Sequence, residues 1–151
     1  MTSNHSQILF LCTGNYYRSR FAEHLFNHHA PEYRIPWHAF SRGLAIELVG
    51  DGAGPISPAT LNALSARGIP LNGKIRPPIA LTEVDLSSSH HIIALKHAEH
   101  HPLMSRKFPG WVDLVEYWHV HDIDFAPPIQ AIPQIEEAVH ALMERLASKV
   151  N

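Results

Sequence analysis

The chain has only one cysteine among its 151 residues. A single thiol cannot form an internal disulfide, so the fold is not held by covalent cross-links. It also leaves no second sulfur for a relay in which one cysteine passes a disulfide to the next. A chain of this kind is typical of a reducing compartment, and we expect it in the cytoplasm.

An excess of charge of either sign is also missing. Twelve lysines and arginines stand against fourteen aspartates and glutamates, which gives a net charge of −2 with neutral histidines. This balance gives no electrostatic reason to expect nucleic acid or an anionic membrane as a partner. No apolar run approaches the roughly 18 residues of a membrane span. The first residues also lack the basic and apolar regions of a secretion signal, so we expect neither membrane insertion nor export.

Apolar segments alternate with amphipathic ones along the whole chain. The segments 8–11, 37–40, 92–95 and 115–120 have the composition of buried strands. Helical spacing follows the first strand and recurs at 59–67 and 98–106, with a short turn at 82–86. A long C-terminal helix is expected to have Pro133 near its first turn. The pattern predicts an α/β fold, a single-domain three-layer sandwich over residues 1–151 whose four-stranded parallel sheet is flanked by helices.

The segment between the first strand and the first helix contains the chemistry-bearing residues. Cys12 directly follows the apolar run, and Arg18 stands six positions later where the helix is predicted to begin. Loop amides and a helix N-terminus together hold tetrahedral oxyanions, and their field favours the thiolate that a cysteine nucleophile needs. The planar guanidinium of Arg18 can grip two oxygens of such an anion. We therefore predict an oxyanion site with a cysteine nucleophile.

The other residues of this loop suit the same purpose. Gly14 lets the backbone approach an anion closely, and Asn15 tolerates a left-handed conformation. Ser19 can cap the helix and donate a hydrogen bond to the sulfur. A buried structural cysteine beside an unrelated arginine is the alternative, and the position between strand and helix argues against it. The predicted phosphate-binding residues are Thr13, Gly14, Asn15, Tyr16, Tyr17, Arg18 and Ser19.

The motif Cys12-Thr-Gly-Asn-x-x-Arg18-Ser19 resembles that of the low-molecular-weight protein tyrosine phosphatases and their arsenate-reductase relatives. Ser41-Arg42-Gly43, the segment 58–69 and the segment 117–122 extend the resemblance over nearly the whole chain. It implies a metal- and cofactor-independent phosphatase that acts on a phosphorylated protein or a small aryl phosphate. Inorganic phosphate or another oxyanion would occupy the loop. The resemblance implies that Cys12 forms a cysteinyl-phosphate and that Asp122 is the general acid and base.

The chain departs from the family pattern around the acid. Ile123 follows Asp122 where the family usually has proline, so Asp124 remains a competing candidate for the acid. Either aspartate can also be a residue that merely caps a loop. Tyr17 stands where many relatives have a second cysteine that protects the nucleophile as a disulfide.

Further departures concern the residues around the loop. Arg20 replaces the usual proline and is expected either at the pocket mouth or in solvent. Lys74 and His90 fall where relatives often have a histidine and an aspartate. The hydrogen-bond network through Asn15, Ser19 and the supporting residue Ser41 must therefore be completed by other groups.

The pocket walls are expected to include Tyr16, Tyr17, Glu47 and Phe125. The two tyrosines face either the pocket rim or the neighbouring loops. Paired histidines also suggest a metal hypothesis, since alternate residues of a strand share a face and His119 and His121 are so spaced. No third ligand follows at a suitable spacing, so we expect no metal.

Two other functions remain open beside the phosphatase. An arsenate reductase would use the same cradle, but with one cysteine it would depend on an external small thiol. A catalytically weak oxyanion-binding relative is the other alternative. The retention of Cys12, Arg18 and Ser19 argues against this last reading.

Overall fold

Strands and helices alternate in the computed structural model, which describes residues 5–50, 52–71, 73–123 and 126–150. The strands are β1 (Ser6–Cys12), β2 (Trp37–Gly43), β3 (His91–Ala94) and β4 (Glu116–Tyr117). The helices are α1 (Arg18–Tyr33), α2 (Pro58–Ala66), α3 (Glu83–Ser87), α4 (His97–Lys107) and α5 (Pro128–Val150). Two short 3-10 helices lie at Ile46–Leu48 and Pro109–Leu114. None of the helices in these ranges is long and apolar enough to cross a membrane.

The four strands form one parallel sheet in the order β2-β1-β3-β4. β1 lies inside the sheet and pairs with β2 along its whole length, which places Cys12 opposite Gly43. The carboxyl ends of parallel strands meet at one edge, which is where such sheets build their binding sites. Cys12, the last residue of β1, lies at that edge.

Each face of the sheet is covered by helices. Ile8 and Phe10 of β1 belong to a core that includes residues of α1 and α5. Leu9 and Leu11 point to the other face, into a second core with residues of α3 and α4. This alternation follows from the two-residue period of a strand. The predicted α/β class, with three layers and a four-stranded parallel sheet, is confirmed.

Two predicted element boundaries are wrong. The fourth strand was expected at 115–120, but β4 ends at Tyr117. Beyond it, His119 forms an isolated antiparallel bridge with Lys96, which lies two residues after the end of β3. The regular parallel pairing of β3 and β4 therefore does not continue to residue 120. The last helix begins at Pro128 rather than near Pro133. Proline is tolerated at the first helical position because its missing N–H has no partner there, so Pro128 takes the place expected for Pro133.

Candidate active site

Residues 12–18 form a tight loop between β1 and α1 at the carboxyl edge of the sheet. Cys12 is 2% exposed and Arg18 is 1% exposed. Asn15 has φ of 50°, so the left-handed conformation predicted for it is confirmed. Within the described residues, the backbone amides of residues 13–18 donate to no protein acceptor. The loop therefore offers a set of free donors to an anion.

Glycines allow two segments to pack against this loop. A Cβ on Gly14 would lie 2.7 Å from Cγ2 of Val49. A Cβ on Gly43 would lie 2.6 Å from Cγ2 of Ile46 and 3.0 Å from the backbone nitrogen of Asn15. A larger residue at either position would push the end of β2 and the segment after it away from the loop.

The side chain of Asn15 is buried and uses its polar atoms fully. Its Nδ2 donates to Oγ of Ser19 and to Oγ of Ser41, both at 2.9 Å. Its Oδ1 accepts from the backbone N–H of Ile79 at 3.1 Å. Ser19 Oγ in turn lies 2.9 Å from Cys12 Sγ. Because Ser19 accepts from Asn15, its own hydroxyl hydrogen is available to the sulfur.

Arg76 completes this network. Its Nη1 donates to Asn15 Oδ1 at 3.0 Å, and its Nη2 donates to Ser41 Oγ and to Glu23 Oε1, both at 3.0 Å. Ser41 also donates to Glu23 Oε1 at 2.6 Å. Lys74 is exposed. Nothing in the sequence around residue 76 predicts this role of Arg76.

His90 takes no part in the network. Its Nδ1 accepts a hydrogen bond from the backbone N–H of Gln7, near the start of β1 and at the opposite end of the strand from the loop. Among the described residues, the network is thus closed by the pair of Arg76 and Glu23.

The predicted helix cap at Ser19 is wrong. The helix begins at Arg18, and Tyr17 precedes it without a side-chain capping bond. Ser19 lies inside the first turn, where its hydroxyl faces the sulfur rather than the helix amides. The first turn therefore keeps its amides free of a side-chain cap.

Arg20 is buried, so neither expected position for it is correct. Its Nη1 donates to the carbonyl oxygens of Asn15 and Pro55 at 3.2 and 3.0 Å. Its Nη2 donates to the carbonyl of Arg76 at 2.8 Å. Burial, reinforced by the positive charge of Arg76, lowers the pKa of Arg20 to about 10. Arg20 thus ties the loop to the segments containing Pro55 and Arg76.

The guanidinium of Arg18 is fixed by groups from two later segments, the first turn of α4 and the chain after β4. Nη2 donates to Glu99 Oε2 at 2.7 Å, and Nη1 donates to the carbonyl of Val120 at 3.1 Å. Nε is buried and has no partner among the described residues. Burial alone would lower the pKa of Arg18, but the neighbouring Cys12 and Glu99 hold it above its ordinary value. Arg18 is thus a permanent cation with one unused donor.

Glu99, in the first turn of α4, holds both Arg18 and the loop. Its carboxylate accepts from the Thr13 hydroxyl and lies 3.1 Å from Nε2 of His100. Since Nδ1 of His100 accepts from the backbone N–H of Lys96, Nε2 carries the proton and donates. Burial opposes ionisation, but hydrogen bonds from His100 and Arg18 hold the pKa of Glu99 well below its usual range.

Sequence reasoning missed Glu99. The available signal was its place in the first turn of a helix that starts at the same sheet edge as Cys12.

Asp122 also lies beside the guanidinium of Arg18. Its Oδ2 is 3.4 Å from Arg18 Nη2, and its Oδ1 accepts from the backbone N–H of Ile123 at 2.9 Å. A proline at 123 could not make this bond because it has no N–H. The competing candidate Asp124 and the expected wall residue Phe125 lie outside the described residues.

A cavity of about 500 Å³ opens above the loop. Its rim contains Leu48 and Ile123, which are 72% and 49% exposed. Tyr16 lines it and donates its hydroxyl to the carbonyl of Ala53, whereas Tyr17 is buried at 5% exposure. Glu47, expected in the wall, does not line it. The lining residues are Cys12, Thr13, Gly14, Tyr16, Tyr17, Arg18, Leu48, Val49, Gly50, Ala53, Ser57, Pro58, Asp122 and Ile123.

The metal hypothesis loses its geometric basis. His119 and His121 lie beyond the end of β4, so the strand alternation on which it depended does not apply. In the part of the chain that the structure describes, no group of three or more histidine, cysteine, aspartate and glutamate side chains could hold a metal ion.

Comparison with known proteins shows the family. The profile of the family described as low molecular weight phosphotyrosine protein phosphatase matches residues 7–151. No individually curated protein matches the sequence.

Solved structures share the fold. Wzb of Vibrio vulnificus, in complex with benzylphosphonate, has a TM-score of 0.77 at 18% identity and covers 94% of this chain and 99% of its own. The YwlE arginine phosphatase of Geobacillus stearothermophilus has a TM-score of 0.67 at 22% identity. The match covers 96% of this chain and 92% of that enzyme. A thioredoxin-dependent arsenate reductase of Corynebacterium glutamicum has a TM-score of 0.70 at 22% identity. The match covers 99% of this chain and 65% of that reductase. At these identities the likeness concerns the fold.

Proposed function

Because the chain belongs to the low molecular weight phosphotyrosine protein phosphatases, we propose that it hydrolyses phosphomonoesters through a cysteinyl-phosphate. One observation carries the proposal. The amides of residues 13–18 and Nε of Arg18 are donors without protein acceptors in the described chain, and most residues of this loop line the same cavity as Cys12. Donors left free around a nucleophile suit an oxyanion whose charge grows in the transition state.

The reaction proceeds in two steps with Cys12 as the nucleophile. In the first, the thiolate attacks phosphorus, the ester P–O bond breaks, and Asp122 gives its proton to the leaving oxygen. In the second, the Asp122 carboxylate takes a proton from water as the water oxygen attacks phosphorus. The S–P bond then breaks, which returns the thiolate and releases inorganic phosphate.

The surrounding groups hold the reacting atoms in place. Glu99 orients the guanidinium of Arg18 so that Nε remains available to the phosphoryl oxygens. The Asn15–Ser19 pair keeps a hydroxyl beside the sulfur. Such fixed donors stabilise transition-state charge without having to reorganise during the reaction.

We propose phosphotyrosine or a similar aryl phosphate as the substrate. The rim side chains Leu48, Val49 and Ile123 are apolar and suit an aromatic leaving group. A phosphoarginine, the kind of substrate implied by the name of one structural neighbour, carries a cationic guanidinium that carboxylates would bind. Among the described lining residues only Asp122 is acidic, and it is engaged with Arg18 and Ile123.

A direct assay separates the phosphatase from the alternatives. We expect the purified protein to hydrolyse para-nitrophenyl phosphate without added metal and in the presence of a chelator. We expect no reduction of arsenate when a small thiol such as glutathione is supplied. Arsenate reduction without phosphatase activity would support the reductase, and oxyanion binding without either reaction would support a non-catalytic relative.

Replacing Asp122 by asparagine is expected to slow esters with poor leaving groups far more than esters with good ones. An acid matters only where the leaving oxygen requires its proton, and general acids typically contribute about 10²–10⁴ in rate. Steady-state rates with phenyl phosphate and para-nitrophenyl phosphate measure the difference. Equal losses on the two esters, or a larger selective loss in Asp124→Asn, would assign the acid to another residue.

A further inference from the structure

The hydroxyl of Tyr17 has no partner in the described structure. Three buried side-chain polar atoms there lack a hydrogen bond, namely Tyr17 OH, Arg18 Nε and Arg20 Nε. The first two belong to consecutive residues that line the cavity above Cys12. Buried hydroxyls are almost always hydrogen-bonded, so an unpartnered hydroxyl that lines this cavity points to a role in the reaction.

The Tyr17 ring is fixed, which restricts where its hydroxyl can act. The ring packs in the same core as residues of α1 and α5, and Tyr17 is 5% exposed. Asp122 lines the same cavity. Burial and the negative charge of Asp122 raise the pKa of Tyr17, so the phenol keeps its proton at neutral pH and remains a donor.

Asp122 needs such a donor once a substrate binds. Asp122 Oδ2 lies 3.4 Å from Arg18 Nη2, while Oδ1 accepts a hydrogen bond from the backbone N–H of Ile123. A phosphoryl group competes for the guanidinium of Arg18, because planar bidentate contact with an oxyanion is what that fork does best. The carboxyl group then loses one of its two supports when it must deliver a proton in a defined direction.

We propose that the Tyr17 hydroxyl donates a hydrogen bond to the carboxyl group of Asp122 in the substrate complex and so positions the general acid. The inference rests on the proposed function. The acid is then held by two donors, the N–H of its neighbour Ile123 and the O–H of Tyr17.

The test is Tyr17→Phe, which removes the hydroxyl and keeps the ring in the core. We expect kcat with phenyl phosphate to fall about tenfold. This is less than the full rate contribution of a general acid, because Asp122 is still present. We expect a much smaller loss of kcat with para-nitrophenyl phosphate. The protein should still bind inorganic phosphate, because the substitution keeps the backbone amides of the loop. In the Asp122→Asn background the same substitution should cause no further loss. Tyr117→Phe is the matched control, since that hydroxyl donates to the carbonyl of Val112 outside the cavity.

Other outcomes overturn the proposal. An equal loss on both esters, no loss on either, or a full loss in the Asp122→Asn background would show that Tyr17 does not act through Asp122. Weaker phosphate binding by Tyr17→Phe would assign the hydroxyl to the oxyanion instead. A wild-type protein that hydrolyses neither ester would refute the proposed function itself. This result is distinguishable from the others, because they are seen only in the Tyr17→Phe variants of an active enzyme. Thermal unfolding of each variant shows whether the fold is retained.

Discussion

The variant Cys12→Ser is expected to lose all measurable turnover of an aryl phosphate while it still binds inorganic phosphate. A serine hydroxyl stays protonated at neutral pH, and the loop contains no general base that would activate it. The amides of residues 13–18 and the Arg18 guanidinium are untouched by the substitution, so the cradle for the anion remains. Catalysis and binding should therefore separate in this one variant.

Steady-state kinetics and isothermal titration with phosphate measure the two properties. Thermal unfolding serves as the control, because a serine can occupy the small buried space of Cys12 beside Ser19. Residual hydrolysis within a few fold of the wild-type rate would exclude Cys12 as the nucleophile.

The variant Arg18→Lys is expected to lower kcat/KM by about 10²–10³, nearly as much as alanine would. This is the usual cost of removing one well-placed donor to transition-state charge. An ammonium group is a point charge and cannot reproduce the two parallel N–H donors of the guanidinium. It also cannot contact Glu99 and the carbonyl of Val120 while it faces the anion.

Arg145→Lys is the matched control for this substitution. Arg145 pairs with Glu116 on an exposed surface, so the same chemical change there should leave the rate unchanged. A loss of less than a few fold in Arg18→Lys would contradict the role given to the guanidinium.

Local signals in the sequence predicted much of the fold and the position of Cys12 at the edge of the sheet. The run at 8–11 is apolar at every position, as an interior parallel strand requires, and it places Cys12 at the sheet edge. Thr82 and Asp85 have the spacing of a capping box at the turn predicted for 82–86, and both hydrogen bonds of that box are present at the start of α3. Such features depend on residues close together in the chain, which is why a sequence reveals them.

The supporting shell could not be predicted because it is built from contacts distant in sequence. Glu99 lies 81 positions from Arg18, and Arg76 lies 61 positions from Asn15. From the sequence, Arg20 resembles a solvated residue of the first helical turn. Its burial depends on the carbonyl groups of Pro55 and Arg76, which are distant in the chain. No periodicity or spacing encodes these pairings, since they arise only when separate βα units bring their loops to one edge of the sheet.

The phosphoenzyme itself provides the most direct test of the account. Wild-type protein turning over para-nitrophenyl phosphate is quenched in acid, and the peptide that contains Cys12 is examined by mass spectrometry, with Cys12→Ala treated identically. We expect a peptide heavier by one phosphoryl group, with the phosphorus on the Cys12 sulfur, and no such adduct in the variant. Turnover with no phosphoryl group on Cys12, or with one on another residue, would contradict the account.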